Sequence, residues 1–140
     1  MAAYYQPPYA ELHFRLAAWA LDLFIFAVVS LIPLGIISVS GSRAEFIAAL
    51  MSLQAVYYLP PMVAFHTTPG KRILDLRIVM QDGSPLQPDA AILRYLAFFL
   101  TMMIPFGFLA SGVLLFVNPE RLAFHDRLAK TAVVSGYSRT

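Results

Sequence analysis

The chain contains no cysteine in its 140 residues. A disulfide, a thiolate nucleophile and a cysteine metal site are therefore all excluded. Charge is scarce too. Charged residues make up 13% of the chain, against about 25% in a soluble domain. The three histidines, His13, His66 and His125, have neither metal-type spacing nor an HExxH arrangement, so no metal site and no cofactor are expected. No nucleophile elbow is visible, and adjacent residues such as His125 and Asp126 point apart on a helix, so an enzyme is not expected. A net charge of +2 and a basic tail with few interleaved aromatics argue against nucleic acid. Contact with anionic lipid headgroups is the simpler reading of that tail.

What the chain has in quantity is apolar sequence, 59% of its residues. One domain fits this length. From Leu16 to Val39 runs a stretch with a single charge, Asp22. At about 1.5 Å per residue it spans roughly 36 Å, enough to cross a bilayer with some tilt. A cleaved signal peptide is not expected: the run is too long, contains Asp22, and lacks basic residues before Arg15. Residues 1–14 read as an interfacial lead-in, with Tyr4, Tyr5, Tyr9 and Phe14 suited to the headgroup region.

The second span is expected over 46–65, with Gln54 as its one strongly polar residue at mid-depth. Gln54 is expected to hydrogen-bond another helix. Pro33 and Gly35 in the first span, and Pro60-Pro61 in the second, mark kinks or ends. The third apolar element covers 92–117 and is interrupted by Pro105-Phe106-Gly107. It forms either one kinked span or a re-entrant pair of helices, each too short to cross alone.

Between the second and third elements lies the most polar segment. Pro69-Gly70 signals a turn, and Ile73–Met80 alternates as a half-buried strand with Asp75 and Arg77 outward. Asp82-Gly83 is a hairpin-type turn signal. Asp89 is expected to cap the following helix. Thr67–Lys71 lacks the spacing of a phosphate loop. In the tail, 118–140, Asn118-Pro119-Glu120 is expected to open an amphipathic helix reaching about Lys130. Thr131–Val134 is a strand expected to pair beside Ile73–Met80.

Basic residues concentrate in 66–94 and in the tail, whereas the loop Ser40–Glu45 holds only Arg43. Basic loops stay cytoplasmic. The N-terminus, the polar segment and the tail are thus expected on the cytoplasmic side, which favours the re-entrant form of the third element.

Arg15 and Asp22 stand seven residues apart, on one helical face. An aspartate at a span centre costs about 2.5–3.5 kcal/mol on insertion scales. Asp22 therefore needs a partner. A structural ion pair, a proton or cation relay, and a partner-binding polar site are the three readings.

Three pieces of sequence together resemble the RDD family of small integral membrane proteins. They are Arg15-Leu16-Ala17-Ala18 with Asp22; Thr68-Pro69-Gly70-Lys71-Arg72 with Leu76-Arg77-Ile78-Val79; and His125-Asp126-Arg127-Leu128-Ala129 with Thr131. The resemblance covers about residues 10–134. It carries the family's arginine and two aspartates onto Arg15, Asp22 and Asp126. Family members commonly have glycine after the third motif; here Lys130 stands there. Both transport, including cation/proton exchange, and assembly within larger membrane complexes are roles the resemblance implies.

The chain is accordingly expected to be an all-α integral membrane protein with two clear transmembrane helices, a third kinked or re-entrant element and a small cytoplasmic β element. Its expected setting is a bacterial cytoplasmic membrane. The expected role is a non-catalytic scaffold or accessory subunit, partnered by lipid, other membrane proteins or further copies of itself. Transport of ions or small solutes through the polar cluster, by an oligomer, is the alternative. Arg94 is the expected partner of Asp22, with Arg127 second, and Arg15 is expected to pair with Asp126.

Overall fold

The computed structural model describes residues 9–135 of the chain; most of the aromatic lead-in and the last basic residue of the tail lie outside them. Helix α1, Leu12–Ser40, runs unbroken through Pro33 and ends where Gly41 donates to the Ile37 carbonyl. At about 1.5 Å per residue its 29 residues measure roughly 43 Å. Gly41 is the whole of the connection before Ser42, because Ser42 already caps α2, Arg43–Phe65. The Ser42 hydroxyl takes the Glu45 amide at 3.3 Å and Glu45 takes the Ser42 amide at 2.6 Å, a reciprocal capping box. α2 likewise carries Pro60 and Pro61 inside it and stops at His66, whose backbone is left-handed. Both helices are long and apolar enough to cross a membrane.

The polar segment departs from the sequence reading at its start. Thr68 caps a short helix α3, Pro69–Ile73, where a turn and then a strand from Ile73 were expected. Proline suits the first helical position, since its missing N–H needs no partner there. The chain turns again at Asp75, with φ 54°, and only then extends into β1, Leu76–Met80. Within β1 the alternation holds in part: Leu76 and Ile78 are buried and Arg77 is exposed. The turn after β1 closes as expected, with Gly83 at φ 85° and Asp82 accepting the Ser84 amide at 2.9 Å.

Helix α4, Pro88–Met103, begins one residue before Asp89, with Gln87 as its cap residue and Pro88 at the first position. The expected Asp89 cap is thus displaced by the adjacent proline, which fits the first turn better than the position beyond it. Ile104–Phe106 then separates α4 from α5, Gly107–Val117, so residues 92–117 form two helices rather than one kinked rod. The expected tail helix is much shorter. Asn118–Arg121 makes a turn, with Arg121 at φ 50°, and α6 covers only Phe124–Leu128. Strand β2, Thr131–Ser135, pairs antiparallel with β1, Ile78 opposite Val133.

The well-packed core lies at the sheet end of the helices. Leu76, Ile78, Leu86, Ala91 and Val133 pack there against Ala10, Ala18 and Met62. The far half of α1 presents Ile32 and Val39 outward, and the last turn of α5 presents Phe116 and Val117, each at least 70% exposed. Sheet pairing brings the chain's last strand back to the end where α3 lies, so α4 and α5 leave and return to the same end.

Candidate functional site, a buried arginine and aspartate cluster

Two carboxylates organise this end of the molecule, and each collects its donors from elements distant in sequence. Asp22, nearly three turns into α1, is 1% exposed. Its Oδ2 accepts the Thr68 hydroxyl at 2.6 Å, and its Oδ1 accepts the Gly70 amide at 2.7 Å and the Tyr57 hydroxyl at 3.1 Å. The Lys71 ammonium stands 4.0 Å from Oδ2. The local sequence explains the arrangement. The first amides of a helix have no partner within it, and the Gly70 N–H at the start of α3 is such a group. An anion is favourable at that end, and Asp22 supplies one from a neighbouring helix. The approach requires glycine. A Cβ on Gly70 would lie 2.7 Å from the Asp22 nitrogen and 2.8 Å from its Cγ, and closer still to the Ala18 carbonyl oxygen.

Asp126 is wholly buried. One oxygen takes the Arg15 guanidinium and the Ala123 amide, the latter at 2.9 Å; the other takes Arg94. Arg15 also donates to the Arg121 carbonyl, and Arg94 to the Thr131 hydroxyl at 2.6 Å. The left-handed backbone at Arg121 is what turns that carbonyl toward α1. Asp126 thereby joins α1, α4, α6 and the start of β2. Burial alone would raise its pKa; the guanidinium groups of Arg94 and Arg15 outweigh this and hold the carboxyl well below the usual range.

The expected pairing of Asp22 with Arg94 does not form. Arg94 turns instead to Asp126, which lies on the side of α4 facing α6, while α3 reaches Asp22 first. Arg127, the second expected partner, is exposed and one residue off the buried face of a short helix. Gln54 is half-buried further along α2, outside the cluster. In the Thr68–Arg72 motif, Thr68 and Gly70 are buried and bind Asp22, Lys71 is half-buried, and Arg72 lies over the Phe65 ring at 5.1 Å.

Tyr57, His125 and Thr131 are members that the sequence reading did not assign. Tyr57 had a signal available: in a tight helical hairpin it lies nearly as far past Gly41 as Asp22 lies before it. His125 sits edge-on to Phe98, ring centroids 5.5 Å apart, with Nε2 3.6 Å from Asp126. Burial pushes its imidazole down to about 3, against the upward pull of Asp126, so it is neutral at physiological pH. Burial, and next the nearby Arg94, push Lys71 down to about 8, with Asp22 opposing.

Beside the cluster is a cavity of about 140 Å³. Arg15, Asp22, Lys71, Arg94 and His125 line its polar side. Among the described residues, no group of three or more His, Asp or Glu side chains could hold a metal ion.

The sequence from residue 9 to 130 matches the model of the RDD family. A relative from Bacillus subtilis (strain 168), described as uncharacterized protein YckC, is 33% identical over 122 residues, covering 85% of this chain and 80% of the relative. No solved structure matches the chain.

Proposed function

Because the chain belongs to the RDD family, we propose that its arginine and aspartates form a structural clamp in a non-catalytic membrane scaffold or accessory subunit. The observation that carries this reading is that every oxygen of both carboxylates accepts a hydrogen bond. Asp22 receives three hydrogen bonds and Asp126 three more, and each is at most 1% exposed. A group that carries protons needs a pKa near the working pH and a route to solvent. Asp126 is held far below that range by two guanidinium groups.

In this proposal α1 and α2 cross a bacterial cytoplasmic membrane, and α4 with α5 enters and returns as a re-entrant hairpin. The sheet end is cytoplasmic. Support comes from its cations, Lys71, Arg72, Arg77, Arg94, Arg121, Arg127 and Lys130, set against Arg43 alone at the opposite connection. Lipid, other membrane proteins or further copies of the chain cover the exposed apolar faces.

Transport is the second reading, and the cavity beside Asp22 is what favours it. Two crossings leave little room for a solute path in one chain, so this reading needs an oligomer. Reconstitution into liposomes separates the two. The clamp proposal expects no proton or sodium flux above that of empty liposomes, for the wild-type protein or for Asp22→Asn. Wild-type flux that a folded Asp22→Asn variant abolishes would establish transport instead.

A further inference from the structure

We propose that the cavity between α1, α4 and α5 binds the headgroup of an anionic membrane phospholipid, one with a net negative phosphodiester, with Lys71 as the principal anion contact. The inference rests on the membrane setting proposed above, but on neither the scaffold nor the transport reading.

The first ground is charge. Three cations, Arg15, Lys71 and Arg94, face two carboxylates, Asp22 and Asp126, and His125 is neutral. One positive charge is left over beside two buried carboxylates, at the half-buried Lys71. An uncompensated buried charge is costly, and a monoanion would remove that cost.

The second ground is donor count. An ammonium carries three protons. Among the described residues, the one hydrogen-bond acceptor of Lys71 Nζ is the Thr68 hydroxyl, at 3.4 Å, and that hydroxyl already donates its proton to Asp22. The carboxylate itself is 4.0 Å away, beyond hydrogen-bond range. Lys71 therefore faces the cavity with donors to give. Arg94 reaches Asp126 and Thr131 through one nitrogen, and a guanidinium has five N–H groups.

The third ground is shape and depth. The cavity holds about 140 Å³, well above the roughly 10–15 Å³ that one water needs on the same measure, which leaves room for a tetrahedral oxyanion. Its outer wall is apolar, with Leu16, Trp19, Phe98, Met102 and Leu115. One end thus suits an anion and the other a hydrocarbon chain. The polar end sits within the first three turns of α1 and the first two of α4, near the level at which headgroups meet the spans in the proposed setting. Gly112 lines the same wall, and a Cβ there would meet nothing within 4 Å, so the space is open from the α5 side.

The test measures binding to the purified full chain in a neutral detergent. The probes are short-chain phosphatidylglycerol, phosphatidylcholine of the same chain length, and inorganic phosphate. Phosphatidylglycerol is expected to bind at least tenfold more tightly than either of the others. Lys71→Gln is expected to reduce that preference at least tenfold. Gly112→Leu, which fills the cavity from α5 without touching the ion pairs, is expected to abolish binding while leaving the melting temperature of the lipid-free protein unchanged. Phosphate binding as tightly as phosphatidylglycerol would make this a free-anion site and overturn the lipid assignment. Equal affinity for both lipids, or binding that survives both substitutions, would overturn the site itself. Liposome flux does not enter this outcome, so the two proposals fail separately.

Discussion

The amide of Gly70 points at the Asp22 carboxylate from 2.7 Å, and no atom larger than hydrogen fits between the Gly70 Cα and α1. One residue thus supplies both a donor and the space that lets α3 dock. Gly70→Ala should therefore push α3 off α1, because the atoms in the way are backbone and cannot rotate aside. We expect a loss of several kcal/mol, in the upper range for single substitutions. Thr68→Val, which removes one donor but keeps the volume, should cost about 1–3 kcal/mol. Thermal unfolding in detergent measures both; a Gly70→Ala protein as stable as wild type would contradict the docking.

Lys130 provides a prediction of opposite sign. Its backbone lies at φ 52°, the left-handed region that glycine enters freely and other residues enter at a cost of roughly 1–2 kcal/mol. Its carbonyl accepts the Gln81 amide at 2.9 Å, tying the turn before β2 to the end of β1. The turn keeps a glycine-type conformation although this chain has lysine there. Lys130→Gly should raise stability by up to about 1 kcal/mol, and Lys130→Val should lower it. A destabilised Lys130→Gly would contradict the assigned backbone.

Acid should weaken the fold through His125. Its folded pKa, pushed down by burial to about 3, lies below the unfolded value near 6.5. Between those values the unfolded chain binds the extra proton, so stability is full above about pH 6.5 and falls as pH drops toward 3. The slope is on the order of 1.4 kcal/mol per pH unit for one proton. Asp126, with its pKa also lowered, adds loss only further into acid, below the unfolded carboxylate value near 4. His125→Phe should flatten the slope between pH 6.5 and 4. Denaturant midpoints across that range test it; an unchanged slope in the variant would refute the assignment.

Much of this architecture was legible because it follows from local chemistry. The two long apolar runs, the Asp82-Gly83 turn and the β2 strand each rest on composition or periodicity within a few residues. The errors arose where two local signals competed. At Pro69 a turn signal and a helix N-terminus look alike, and Thr68 decides for the helix by capping it. At Asp89 the preceding proline took the first helical position. The site was harder to read for a different reason. Sequence names the charged residues but not their partners, since Asp22 finds its donors 35 to 48 residues away and Asp126 its arginines 32 and 111 away. Choosing Arg94 for Asp22 was reasonable on depth alone. It failed because a backbone amide and a hydroxyl, which no charge count reveals, satisfied Asp22 first.

The orientation of the sheet end is open to direct test. Gln81 is exposed in the turn after β1, and Ala44 is exposed at the start of α2. In intact cells, an impermeant thiol reagent should label Ala44→Cys and spare Gln81→Cys until the membrane is permeabilised. The chain has no cysteine of its own to interfere. Labelling of Gln81→Cys from outside would reverse the proposed orientation.

The clamp itself is tested most directly by a double-mutant cycle across Arg94 and Asp126, read as unfolding free energy in detergent. Asp126→Leu leaves the buried Arg15 and Arg94 without a counter-charge and should cost about 3–5 kcal/mol, whereas Arg94→Leu leaves Asp126 still paired with Arg15 and should cost less. Removing both relieves the penalty at Arg94 and leaves only Arg15 without its carboxylate. The double variant should therefore be more stable than the sum of the single losses implies, by about 0.5–3 kcal/mol, the range for groups in one network. Losses that simply add would contradict the claim that these two residues hold α4 and α6 together.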